Sequence, residues 1–256
     1  MMKHKSLTGL LVLFFLVSTS FQIPSSEQPV ETGKVKIIFK NCVKGANIVL
    51  YDSAYVNPFG EEFTINKFKY YVSNLSLQGN GKNFAALNDF YLIDEKNPKS
   101  QVIELEVPSG TYFSVNFLLG VDSLHNVSGA QSGALDPIND MFWTWNTGYV
   151  MAKLEGNSPA STIVNHKYEF HIGGFSGKYN VLKNIELKFP DNKPLNLKNK
   201  MSIEILVEAD INTWWQNPND IKIADRPAIN SPGIHALEIS NNYVKMFTIK
   251  SVTYQP

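Results

Sequence analysis

The sequence predicts an all-β fold, a single-domain antiparallel β-sandwich with long loops and one short helix, and three observations carry that expectation. Strand-length runs with alternating apolar and polar residues recur from Lys34 to the C-terminus. Turn residues punctuate them, as at Gly79-Asn80-Gly81, Asn97-Pro98, Pro108-Ser109-Gly110 and Pro190-Asp191-Asn192. The spacing leaves no room for repeated βαβ units, which favours two packed sheets.

Taken in order, residues 1–20 read as a secretory signal peptide. Lys3 and Lys5 form its charged start, Leu7 to Val17 is an uncharged run of eleven, and Ser18-Thr19-Ser20 supplies small residues for cleavage. Eleven residues are too few to cross a bilayer, which needs roughly 20. No Cys lies near the cleavage point, so export without a lipid anchor is expected, to the periplasm or the extracellular space. Residues 21–33 form a polar, Pro-containing flexible leader, and residues 34–256 are expected to form one domain.

Within that domain the strand candidates are Lys34–Lys40, Asn47–Asp52, Phe68–Leu77, Asp89–Ile93, Gln101–Val107 and Thr111–Leu119. They continue with Gly148–Glu155, Lys167–Ile172, Asn184–Phe189, Ser202–Ala209 and Met246–Tyr254. One helix is predicted near Gly233–Asn242. The longest irregular stretch, Asp122 to Asp140, holds little that builds a core, and a loop of this length in a compact domain points to function or disorder.

Charge and cysteine content narrow the function classes. Of 23 basic and 23 acidic residues, removal of Lys3 and Lys5 leaves 21 − 23 = −2, which gives no electrostatic reason to expect nucleic acid or an anionic membrane as partner. Cys42 is the one cysteine, so no internal disulfide forms, and it is read as an inert thiol at a strand end. Enzyme signatures are missing: there is no Gly-x-Ser-x-Gly elbow, His-Glu-x-x-His, phosphate-binding Gly-rich Lys loop or Cys-x-x-Cys. A binding role without catalytic turnover is expected.

The densest chemistry lies in Met141-Phe142-Trp143-Thr144-Trp145-Asn146-Thr147-Gly148-Tyr149, which follows a loop carrying His125 and precedes a strand carrying His171. The whole chain has only four Trp and five His. Alternation along a strand places Trp143 and Trp145 on one face, where a W-x-W pair ordinarily builds core. In Lys167-Tyr168-Glu169-Phe170-His171-Ile172 the same alternation puts His171 on the polar side. Imidazoles beside Trp and Met also describe a place for a soft, redox-active metal.

These residues carry a resemblance. The runs Gly120-Val121-Asp122-Ser123-Leu124-His125-Asn126, Leu135 to Tyr149, Lys153-Leu154-Glu155-Gly156 and Phe170-His171-Ile172-Gly173 resemble the MbnP-like family, as does the early strand Phe68 to Leu75. The resemblance implies a secreted β-rich copper binder. It implies His171 and His125 as imidazole ligands, and a Trp that a diheme cytochrome c peroxidase-like partner oxidises to kynurenine. That Trp is Trp143 or Trp145, with Trp143 preferred. Indole N–H is only a donor, whereas kynurenine offers an aromatic amine to a metal.

Other candidates remain beside these. His166 sits in a polar turn and is read as solvated, while His235 is a candidate further ligand from the C-terminal region. The alternative function is an adhesin-like or carbohydrate-binding β-sandwich without metal, with Trp214-Trp215 as its stacking platform; a third is a hydrolase with an unrecognised site.

Overall fold

A computed structural model describes residues 30–255 except 82, 88, 89 and 147; the signal peptide expected over residues 1–20 lies outside the described residues. Ten strands of five or more residues make up the frame. They are β1 (Thr32–Val43), β2 (Lys67–Gly79), β3 (Phe90–Asp94), β4 (Val102–Pro108), β5 (Gly110–Leu119), β6 (Gly148–Asn157), β7 (Lys167–Gly173), β8 (Lys183–Lys188), β9 (Ser202–Asp210) and β10 (Phe247–Gln255). Two helices accompany them, α1 (Ser123–Val127) and α2 (Ile234–Tyr243).

The strands form the expected two-sheet, all-β architecture. One sheet runs β10–β9–β1–β4, and the other is built on β2, with β5 and β8 beyond its C-terminal half and β6 and β7 beyond its N-terminal half; β3 covers its opposite edge. Pairing is antiparallel except that β1 runs parallel to β9, and Ala228–Ile229 runs parallel to β7. Parallel neighbours need a long crossover. Between β1 and β9 that crossover runs through β2 to β8, including β4 of the same sheet.

Alternation decides the faces. Val35, Ile37 and Phe39 of β1 and Phe68, Tyr70 and Val72 of β2 are buried between the sheets. Phe39 meets Tyr70, Phe117 and Phe247 edge-on at centroid distances of 6.3, 5.8 and 6.2 Å, the geometry aromatic pairs prefer. The one hydroxyl in this cluster is satisfied: Tyr70 donates to Asn41 Oδ1 at 3.0 Å, and the Asn41 amide donates to Glu95 at 2.8 Å.

Three local expectations change. Over Asn47–Asp52 only Ala46–Asn47 pairs, because the chain turns at Gly45 and again at Tyr51, both with positive φ. The stretch from Asp122 to Asp140 is not wholly irregular, since it holds α1 and two 3₁₀ turns at Gly133–Leu135 and Pro137–Asn139. Finally, Trp214 and Trp215 are both fully buried. Trp214 packs on Phe68 and Tyr243, and Trp215 on Phe63, Tyr168 and Phe170. They leave β9 in a 3₁₀ turn over Ile211–Trp214, which breaks the strand rule that would expose one of them. The carbohydrate-stacking platform is therefore core.

Cys42 is buried and its thiol is pushed up to about 11 by burial, with Asp210 adding to the effect. A thiol so reluctant to ionise fits the inert reading.

Candidate functional site

The face of the second sheet that points away from the core carries the predicted residues. Pairing sets Asp94, Lys69, Lys153 and His171 in one transverse row across β3, β2, β6 and β7. Their chain neighbours Tyr70, Ala152 and Ile172 are buried between the sheets, so the row faces outward. Beside it lie Lys67 and Glu155, which pair with each other across β2 and β6.

A loop closes over this row. Its tip turns at Asp140, which adopts φ +60°, a left-handed conformation that Asp tolerates. Lys67 reaches Asp140 at 2.7 Å and Glu155 at 3.2 Å, and Lys69 donates to the Asn139 carbonyl at 3.1 Å. Lys153 is nearly buried, 3.1 Å from the Asp140 carboxylate, and also donates to the Asp140 carbonyl. Burial holds the Lys153 ammonium below the usual lysine range, partly offset by Asp140 and Glu155. Burial acts on Glu155 in the opposite sense to its neighbours: it raises the carboxyl, but the His171 hydrogen bond and the Lys67 and Lys153 charges outweigh it and bring Glu155 to about 2.

His171 lies as alternation expects, on the polar side of β7, with Nε2 2.8 Å from Glu155 Oε1. Trp143 is its neighbour through Gly173. His171 and Gly173 are two apart on β7 and share a face. A Cβ at Gly173 would collide with the Trp143 ring, so the absence of a side chain there makes the seat for the indole. Trp143 itself pairs with Gly148.

Trp145 does not share that seat. The strand stops at Trp143 and residues 144–146 turn, so the ring of Trp145 is 64% exposed against 7% for Trp143. The two rings still touch, with centroids 5.6 Å apart.

His125 occupies another corner. Asp122 caps α1 by accepting from His125 N at 3.0 Å, and its second carboxylate oxygen is 2.7 Å from His125 Nδ1. The ring rests on Phe90 of β3, centroids 4.6 Å apart. Phe90 pairs with Ser73, four residues along β2 from Lys69, while His171 lies two strands beyond Lys69 in the other direction. With strands about 4.8 Å apart and a rise of about 3.3 Å per residue, the two imidazoles are separated by on the order of 15 Å or more. The expected convergence of His125 and His171 is not met. Tyr71 and Tyr149 fill the space between, their rings 5.9 Å apart and their hydroxyls donating to the Ala134 and Leu135 carbonyls.

The remaining histidines are engaged elsewhere. His166 Nδ1 lies 3.1 Å from the Ser161 carbonyl, and His235 on α2 contacts Glu238 and Arg226. Among the described residues no group of three or more His, Cys, Asp or Glu side chains is arranged to hold a metal ion. The charged residues around His171 had a signal in the sequence: Lys153 and Glu155 alternate with Ala152, Leu154 and Gly156 and so face outward. That they meet His171, 16 residues from Glu155 on β7, had no such signal.

Comparison with known proteins fits this architecture. Among solved structures, MbnP from Methylosinus trichosporium aligns with a TM-score of 0.51 and 14% identity, covering 89% of this chain and 100% of that one, a likeness of fold. No curated protein gives a significant match. The family model described as MbnP matches residues 32–235, and the chain belongs to the MbnP family.

Proposed function

We propose that this protein is an exported copper binder acting in copper acquisition or storage without catalytic turnover, with its metal site at the His171 corner. The observation that carries the reading is the Trp143 ring seated on Gly173, the next outward position on β7 after His171. An imidazole nitrogen suits Cu(I) and Cu(II) alike. Beside it stands a carboxylate, but Lys67 and Lys153 offset that charge. One strong donor is thus in place, and a second has to be made.

Trp143 is where it is made. Its indole cannot ligate a metal, whereas oxidation to kynurenine supplies an aromatic amine at the same position. The partner for that step is a diheme cytochrome c peroxidase-like enzyme working in the periplasm or outside the cell. Trp145 is the exposed member of the pair, and the seat of Trp143 on Gly173, two residues from His171 on β7, favours Trp143 as the modified residue. His125 stays outside the proposed site, because metal–nitrogen bonds of about 2 Å cannot bridge imidazoles so far apart.

Copper titration of protein isolated from its own host tests the reading, together with peptide mass mapping across residues 135–153. Stoichiometric uptake with kynurenine at position 143 is expected. Two intact Trp with unchanged copper uptake would remove the kynurenine step, and no uptake in either form would remove the copper reading.

A further inference from the structure

Three of the described imidazoles are each tied to a carboxylate, but not through the same nitrogen; His235 meets Glu238 at Nδ1. Asp122 meets His125 at Nδ1, and Glu155 meets His171 at Nε2. An ionised carboxylate only accepts hydrogen bonds, so a neutral imidazole beside one carries its proton on the nitrogen facing it. The other nitrogen keeps its lone pair. For His125 that nitrogen is Nε2, and for His171 it is Nδ1.

We infer that Glu155 is the positioning residue of the metal site, holding His171 as its Nε2–H tautomer so that Nδ1 is the atom offered to copper. The inference rests on the copper reading above. Three features of the structure support it. Glu155 has little freedom to turn away, since Lys67 holds its other oxygen at 3.2 Å and Lys153 stands 3.8 Å from the oxygen that meets His171. Both its strand and that of His171 are paired on this stretch, Lys153 opposite His171 and Glu155 opposite Glu169, so the backbones are fixed relative to each other. Glu155 thus lies on the Glu169 side of His171, and Gly173 with its Trp143 cover lies on the other. Nε2 is the nitrogen taken by Glu155, which leaves Nδ1 as the ring nitrogen free to ligate. A carboxylate behind a ligating imidazole is a common outer partner of metal sites, fixing ring orientation and raising basicity.

The test is a long-range proton–nitrogen correlation spectrum of ¹⁵N-labelled metal-free protein at mildly alkaline pH, followed by Cu(I) titration without oxygen. We expect His171 Nε2 to carry the proton, and Nδ1 to be the resonance that moves when Cu(I) is added. In Glu155→Gln, whose amide can donate or accept, both tautomers should appear and Cu(I) affinity should fall by about 10–100-fold. A proton on Nδ1 in the metal-free protein overturns the inference, as does loss of the Nε2 proton on adding Cu(I), or a Glu155→Gln variant with unchanged tautomer and affinity. No response of either nitrogen to Cu(I) overturns the copper reading itself, and separates that failure from a wrong tautomer.

Discussion

The His125 and His171 corners hold the same chemical pair, an imidazole on a carboxylate, built in two different ways. At His125 the carboxylate comes from three residues earlier, where Asp122 both caps α1 and meets the ring. At His171 it comes from the neighbouring strand, and Lys67, Lys69 and Lys153 extend the pair to the loop tip at Asn139 and Asp140. A local pair needs only the short helix that carries it. A cross-strand pair inherits the rigidity of the sheet, and this difference marks the His171 corner as the preorganised one.

The largest effect should come from removing the cross-strand carboxylate. Glu155→Ala leaves Lys67 and Lys153 with Asp140 as their remaining acid, and about 2–3 kcal/mol of stability should be lost, read by urea denaturation. The same contribution should respond to pH. A carboxylate held at about 2 in the folded chain, against an ordinary 4.5, adds stability that is complete above about pH 4.5 and disappears as pH falls toward 2. Wild-type stability should therefore decline over that window more steeply than that of Glu155→Ala; parallel profiles would break the assignment.

Filling the seat of Trp143 comes next. Gly173→Ala forces the indole aside, at a cost of about 1–3 kcal/mol for overpacking, and should shift Trp fluorescence to the red as the ring meets water. Asp122→Ala removes the cap of α1 at the other corner and should cost about 1 kcal/mol. The partly exposed contact of the other Asp122 oxygen with His125 Nδ1 adds little to that figure. Should Asp122→Ala prove costlier than Glu155→Ala, the contrast between the corners would be reversed.

The same contrast explains what could be read from the sequence. Strand periodicity placed all ten long strands to within a few residues, and α2 within one residue at each end, because a half-buried strand writes its period into the chain. It also placed His171 on the outward face. Register is another matter, since nothing in the residues around Glu155 says that it faces His171 or that β1 lies parallel to β9. The expectation for Trp143 and Trp145 failed where the strand ended one residue after Phe142, and alternation has no meaning in a turn. Trp214 and Trp215 mislead for the same reason: both enter the core from a 3₁₀ turn. His125 and His171 belong to two separate sequence motifs and are apart in space, because β2 and β6 intervene between Phe90 and β7.

We propose that copper is held at the His171 corner alone. Copper affinity of His171→Ala and His125→Ala, measured side by side by competition with a chelator on protein bearing the same modification at position 143, tests it most directly. We expect His171→Ala to lose copper and His125→Ala to bind as wild type does; equal losses in the two variants, or loss only in His125→Ala, would contradict that placement.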